Sequence, residues 1–127
     1  MVMNNLDHII VKVNDLPASV QFYTEIMGFE DVGTEGPFTV IKVSDTFQLQ
    51  LAPWNTQGFE HYAFALSRQD FDAVFRRVKA SGIEYGPSFH EVGSNQGPGE
   101  EQGARGPAPT VYFNDPSKHL IEIRTYE

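Results

Sequence analysis

Two acid–histidine pairs recur in this chain, Asp7-His8 and Glu60-His61, and each introduces an apolar stretch. Two more polar residues interrupt apolar runs, Gln50 in FQLQLA and Glu122 in LIEIR. A carboxylate set between two isoleucines on a closed face needs a partner. Two imidazoles, a carboxylate and an amide oxygen together suit a borderline or hard divalent ion such as Zn, Fe(II), Mn, Ni or Co. Fewer than six protein ligands would leave positions open for substrate oxygens. Of Glu122 and Gln50 only Glu122 has a titratable group, so it is the candidate base, with Gln50 assisting. Each residue also has a plainer reading. Glu122 can pair with Arg124 or Lys12, Gln50 can bond a neighbour or water, and Gln48 shares the face of Gln50 and is the second choice for its place. His90 and His119 read as bystanders.

The elements that must position these groups repeat. Residues 6–30 and 59–84 each run from an acid–His pair through an apolar strand and an amphipathic helix to a glycine. The histidines are 53 residues apart and the glycines Gly28 and Gly82 are 54 apart, and a near-constant offset over a whole unit marks a repeat. In the first helix Pro17 suits the opening turn, Leu16, Val20, Tyr23 and Met27 share a face with Ile26 beside them, and Gly28 ends it. In the second, Ser67 and Asp70 form a capping signal, Phe71, Val74, Phe75 and Val78 follow at helical spacing, and Gly82 closes it.

Strands are expected near 30–34, 38–43 and 46–52, and again near 83–90, 109–114 and 119–125, the last two joined by a turn at Asn114-Asp115-Pro116-Ser117. The predicted fold is α+β: two βαβββ modules, about 5–54 and 59–126, forming a curved, half-barrel-like mixed sheet around one site in a single domain, 1–127. Strand side chains alternate between faces. The more hydrophobic face of each strand should meet a helix, which leaves His8, Gln50, His61 and Glu122 on the other. From His8 to Gln50 is 42 residues and from His61 to Glu122 is 61, a difference close to the length of a Gly/Pro-rich insertion, 93–109. With five Gly and three Pro in 17 residues, this stretch reads as an irregular loop over or beside a ligand. Its single cation, Arg105, would suit an anionic substrate group. Trp54 and Tyr112 are further candidates for the substrate pocket.

Bulk properties remove several classes. Nine basic against 17 acidic residues give a net charge of −8, the wrong sign for phosphate contacts, so no nucleic-acid partner is expected. No apolar run approaches the about 18 residues of a membrane span. No signal peptide is read at MVMNNLDH, and cysteine is absent, which suits a cytoplasmic protein without disulfides.

LDHIIVKVNDLPASVQFYTEIMGFE resembles the opening module of vicinal oxygen chelate proteins, the glyoxalase/bleomycin-resistance/dioxygenase family. HYAFAL resembles their second histidine strand and VYFNDPSKHLIEI their closing hairpin. The resemblance covers residues 5–125. It implies His8, His61 and Glu122 as ligands of one divalent metal, Gln50 as the fourth, no nucleotide cofactor, a small-molecule substrate with vicinal oxygens and a homodimer. It implies first a glyoxalase-like lyase or isomerase. The alternatives are an extradiol-type Fe(II) dioxygenase, a fosfomycin-resistance-like transferase, and a metal-free, bleomycin-resistance-like binding protein. The run of five residues after Glu122 lacks the Arg-containing tail of the fosfomycin group, which weighs against that reading.

Overall fold

The computed structural model describes residues 4–127. The chain is α+β and divides into two units after Gln57, each with its own mixed sheet. In the first unit, strand β1 (His8–Lys12) leads to helix α1 (Leu16–Gln21), which runs on as a π turn (Phe22–Ile26). Strands β2 (Glu30–Glu35), β3 (Phe38–Ser44) and β4 (Phe47–Ala52) follow. The sheet order is β1-β4-β3-β2, with β1 parallel to β4 and the other pairs antiparallel. Asp15 caps α1 by accepting the Ala18 N–H at 3.0 Å, and Gly28 takes φ +77° at the exit. Both features relieve helix ends that would otherwise leave polar groups bare.

The face that α1 buries differs from the helical spacing in the sequence. Ser19, Phe22, Tyr23 and Met27 are buried, whereas Leu16, Val20 and Ile26 are only half covered. From Phe22 onward a π turn is the cause. Met27 N–H bonds the carbonyl of Phe22, five residues back. The wider turn rotates every later side chain relative to an α-helical stripe. Behind the helix, Val11, Val13, Ile41, Leu49 and Leu51 are completely buried.

The second unit repeats the opening: strand β5 (His61–Ala65), then helix α2 (Arg68–Ala80). Ser67 accepts the Asp70 N–H at 3.1 Å, so the capping signal in the sequence operates. Phe71, Val74 and Val78 are fully buried and Phe75 is half-buried. Then come β6 (Tyr85–Gly86), a 3-10 turn (Phe89–Glu91), β7 (Gly99–Gly103), β8 (Gly106–Asn114) and β9 (Leu120–Arg124). The order is β5-β9-β8-β6, with β7 also on β8 and β5 parallel to β9. The strand expected over 83–90 shrinks to two residues. Pro87 cannot donate to a ladder, and Gly86 lies so close to the Glu91 carbonyl that only a residue without Cβ fits.

The expectation of an irregular loop over 93–109 is wrong for its second half. Gly99–Gly103 and Gly106–Thr110 pair residue for residue as an antiparallel hairpin. Pro107 and Pro109 are two apart, so their missing N–H groups fall on one edge. Gly106, Ala108 and Thr110 are left to make the ladder.

The turn from β8 to β9 is fastened by Asp115, 4 % exposed, whose Oδ1 accepts the N–H groups of Ser117 (2.9 Å) and His119 (2.8 Å). His119, outside the candidate ligand set, has a structural role. It is 1 % exposed, and its Nδ1 accepts the Glu60 N–H at 3.3 Å. With the Leu120 N–H donating to the Glu60 carbonyl at 2.8 Å, this registers the start of β5 against β9, one residue before His61. His90 is exposed.

Candidate functional site

Each sheet carries one histidine on its edge strand and one polar residue on the parallel strand beside it. In the first, His8 lies opposite Gln48 and Ile10 opposite Gln50. In the second, His61 lies opposite Leu120 and Ala63 opposite Glu122. Gln50 and Glu122 therefore occupy the same place in their own sheets, diagonal to the histidine and two residues along the paired strand. Diagonal neighbours on one face are within reach of long side chains. Gln48 sits directly across from His8 and, with Asp7, Lys42 and Thr46, lines a separate cleft of about 230 Å³.

In the first unit, His8 is half-exposed and its Nδ1 lies 2.7 Å from Asp7 Oδ2. A carboxylate on Nδ1 holds the proton there and leaves the Nε2 lone pair outward, the arrangement that serves a metal ligand. Gln50 is 8 % exposed, between Leu49 and Leu51 in sequence but on the opposite face of β4. Trp54 is exposed and stands edge-on to Phe38, with ring centroids 5.6 Å apart.

In the second unit, His61 Nε2 lies 3.0 Å from Glu122 Oε1. The histidine is half-exposed while Glu122 is only 4 % exposed. Ala63 and Ala65 continue the face of His61 with little bulk. Burying a carboxylate is costly unless its oxygens are satisfied, and here they are. Glu122 Oε2 accepts from Arg124 Nη1 at 2.7 Å, so the salt bridge weighed as the plainer reading of Glu122 exists alongside the histidine contact. Tyr112, opposite Glu122 on β8, also hydrogen-bonds the carboxylate. Burial, and next that hydrogen bond, push the Tyr112 hydroxyl well above its ordinary value. The phenol is therefore protonated throughout the neutral range and acts as a donor.

Burial by itself would lower the pKa of Arg124. The hydrogen bonds to Glu122 and Tyr126 outweigh it and hold the guanidinium charged. Arg105, proposed from sequence as an anion contact, lies in the β7–β8 turn. Its guanidinium stacks 4.2 Å from the Tyr126 ring centroid, and its N–H donates to the Tyr126 hydroxyl at 3.2 Å.

Each half offers two donors of the kinds that divalent ions take. One half offers an imidazole Nε2 and a nearly buried amide, the other an imidazole Nε2 and a carboxylate oxygen already turned towards it. Among the described residues no three His, Asp or Glu side chains converge. Sequence reasoning missed Arg124 as more than a charge partner, and missed Tyr126. The available signal was the spacing Glu122-x-Arg124, which puts both side chains on one face of a strand.

Residues 5–123 match the model of the Glyoxalase/Bleomycin resistance protein/Dioxygenase superfamily. Among curated proteins, the chain is 25 % identical to fosfomycin resistance protein FosX of Listeria monocytogenes, over 95 % of this chain and 89 % of that one. It is 26 % identical to virulence protein STM3117 of Salmonella typhimurium, over 99 % and 87 %, and 25 % identical to glutathione transferase FosA of Serratia marcescens, over 95 % and 80 %. Among solved structures, oxidase ChaP-H1 superposes with a TM-score of 0.78 at 28 % identity, covering 98 % of both chains.

Proposed function

The chain belongs to the Glyoxalase/Bleomycin resistance protein/Dioxygenase superfamily, and on that premise we propose that it is a divalent-metal-dependent enzyme with glyoxalase-like lyase or isomerase activity on a small substrate bearing vicinal oxygens. The observation that carries the reading is the His61–Glu122 pair, a half-exposed imidazole 3.0 Å from a buried carboxylate oxygen. Such a pair suits a metal better than it suits stability, since a buried carboxylate already has Arg124 and Tyr112. His61 and Glu122 are two ligands in this proposal; His8, set by Asp7, and Gln50 are the others. Zn, Ni, Mn, Co and Fe(II) all accept this donor set.

When bound, the ion supplies Lewis acidity to two adjacent substrate oxygens. The chain's own groups do the rest. Glu122 is the one titratable ligand in position to take a proton from a substrate carbon beside those oxygens. The Tyr112 hydroxyl donates to Glu122 and keeps its own proton at neutral pH. Gln50 brings an uncharged oxygen and keeps the net charge of the set low. A homodimer working in the cytoplasm, with no nucleotide cofactor, completes the reading.

A second reading is favoured by the relatives: a transferase acting on fosfomycin or a similar oxygenated antibiotic, since the matched curated proteins include FosX, FosA and metallothiol transferase FosB. Arg105, which would suit an anionic group, is engaged by Tyr126, and that speaks against its serving a phosphonate without rearrangement.

The test is elemental analysis of wild type and His61→Ala after reconstitution with each ion. Turnover of an α-ketoaldehyde–thiol adduct, of fosfomycin with a thiol, and of a catechol under oxygen is then measured. One ion per chain, lost in the variant, together with adduct turnover supports the first reading; fosfomycin consumption with thiol supports the second. A chain that takes up no ion is a binding protein, and both readings fail.

A further inference from the structure

The guanidinium of Arg124 is held by more than its carboxylate. Nη1 donates to Glu122 Oε2 at 2.7 Å and to the Gln102 carbonyl at 3.3 Å. Nη2 donates to the carbonyls of Glu101 and Gly106, both at 3.0 Å. All three carbonyls belong to the two strands at the tip of the β7–β8 hairpin, on either side of its turn. The ring of Tyr126 covers the guanidinium at 5.0 Å, and the same ring carries Arg105 from the turn. The fifth donor, Nε–H, is buried and has no partner among the described residues. The orientation is thus set by the hairpin and Glu122 at the expense of a satisfied Nε. A charge partner alone does not require this. One ion pair leaves a guanidinium free to swing, whereas four acceptors on its two terminal nitrogens fix its plane.

We propose that Arg124, locked by the hairpin tip, is a positioning residue that turns the Glu122 carboxylate so that Oε1 faces His61 and the ion. This rests on the reading of Glu122 as a metal ligand. The hairpin acts from outside the ligand set: its backbone aims Arg124, Arg124 aims Glu122, and the carboxylate presents one oxygen with the other tied back. Partners of this kind, one step behind the ligands, change metal affinity without touching the ion. The coupling runs both ways, so an ion on Glu122 must also steady the hairpin.

Gly103 supplies a clean perturbation. The three atoms nearest to a Cβ there would be two of the Arg124 guanidinium and the Tyr126 hydroxyl oxygen, all at the far ends of side chains. Gly103→Ala should therefore fold, with Arg124 displaced. Wild type, Gly103→Ala and Arg124→Lys are titrated with Zn and with Co(II) by calorimetry, and the Co(II) absorption spectrum is recorded at saturation. Cooperative unfolding of each apoprotein confirms that the variants fold. Hydrogen exchange at residues 101–106 of wild type is measured with and without Zn. The expected result is a ten- to a hundredfold loss of affinity in both variants, an altered Co(II) spectrum, and slower exchange at the tip on metal loading. Wild-type affinity and spectrum in the folded Gly103→Ala protein, or tip exchange indifferent to metal, overturns the positioning role and leaves the metal reading standing. Failure of wild type itself to bind either ion overturns both.

Discussion

Replacing Glu122 by leucine leaves Arg124 as a buried charge without its counter-charge. Both residues are 4 % exposed and their contact is 2.7 Å. Removing one member of such a pair costs about 3–5 kcal/mol, because the remaining charge is neither solvated nor paired. Arg124 keeps three backbone carbonyls and the face of Tyr126, so the lower end, about 3 kcal/mol, is expected for Glu122→Leu. In a chain of this length that corresponds to a fall in Tm of roughly 10 °C. The double variant Glu122→Leu, Arg124→Leu removes both charges. It should recover part of that loss, since no charge is then left buried alone, though the carbonyls of Glu101, Gln102 and Gly106 lose their donor. Urea unfolding of all four proteins of the cycle, in chelator so that no bound ion adds to stability, gives the coupling energy. A single variant that loses less than about 1 kcal/mol, or a double variant no better than the single, would refute the view that Arg124 depends on Glu122.

Other outcomes follow from the same geometry. Asp7→Asn should weaken metal binding about 10- to 100-fold by freeing the His8 ring, and His8→Ala should weaken it further, both read by calorimetric titration. Phe71→Ala should cost about 3–5 kcal/mol in urea unfolding, because its ring is completely buried on α2. Tyr62, pushed up to about 12 by burial and then by Glu60 and Asp115, keeps its proton more tightly when folded than unfolded. Its contribution to stability is therefore complete below pH 10 and is lost as pH rises from 10 towards about 12. Tyr62→Phe should flatten the alkaline fall in stability over that window; an unchanged slope counts against the burial argument.

Much of the architecture was legible because it rests on local rules. The Ser67 cap, the glycines at 28 and 82, and the alternation in β1 and β5 are all written in short segments, and the structure follows them, whereas β9 is buried on both faces. What was not legible depended on more distant partners. The π turn after Gln21 cannot be seen in helical spacing, so Phe22 is buried while Ile26, placed beside the apolar face, is only half covered. Gly/Pro content in 93–109 read as an irregular loop because the period-two placement of Pro107 and Pro109 only makes sense once β7 lies alongside. His119 looked idle because its partner, the Glu60 backbone, is 59 residues away. At the candidate site, the placement of His61 beside Glu122 could be read from the repeat and from face alternation. The hold on Arg124 could not, because three of its four acceptors are backbone carbonyls that carry no residue signature.

The placement of both histidines on edge strands bears on folding kinetics. β1 and β5 are the first strands of their units in sequence, yet each joins its sheet only through a parallel partner at the far end of that unit. These are the contacts of greatest sequence separation within each sheet. The entropy of closing such loops must be met before the pairing repays it. Nucleation is expected among the local hairpins β2–β3–β4 and β8–β9, with the histidine strands added late. An ion bridging His61 and Glu122 would span one of these late contacts, so it would slow the detachment of β5 far more than it would speed folding. Metal loading would then lengthen the lifetime of the folded chain, leaving its rate of formation nearly unchanged.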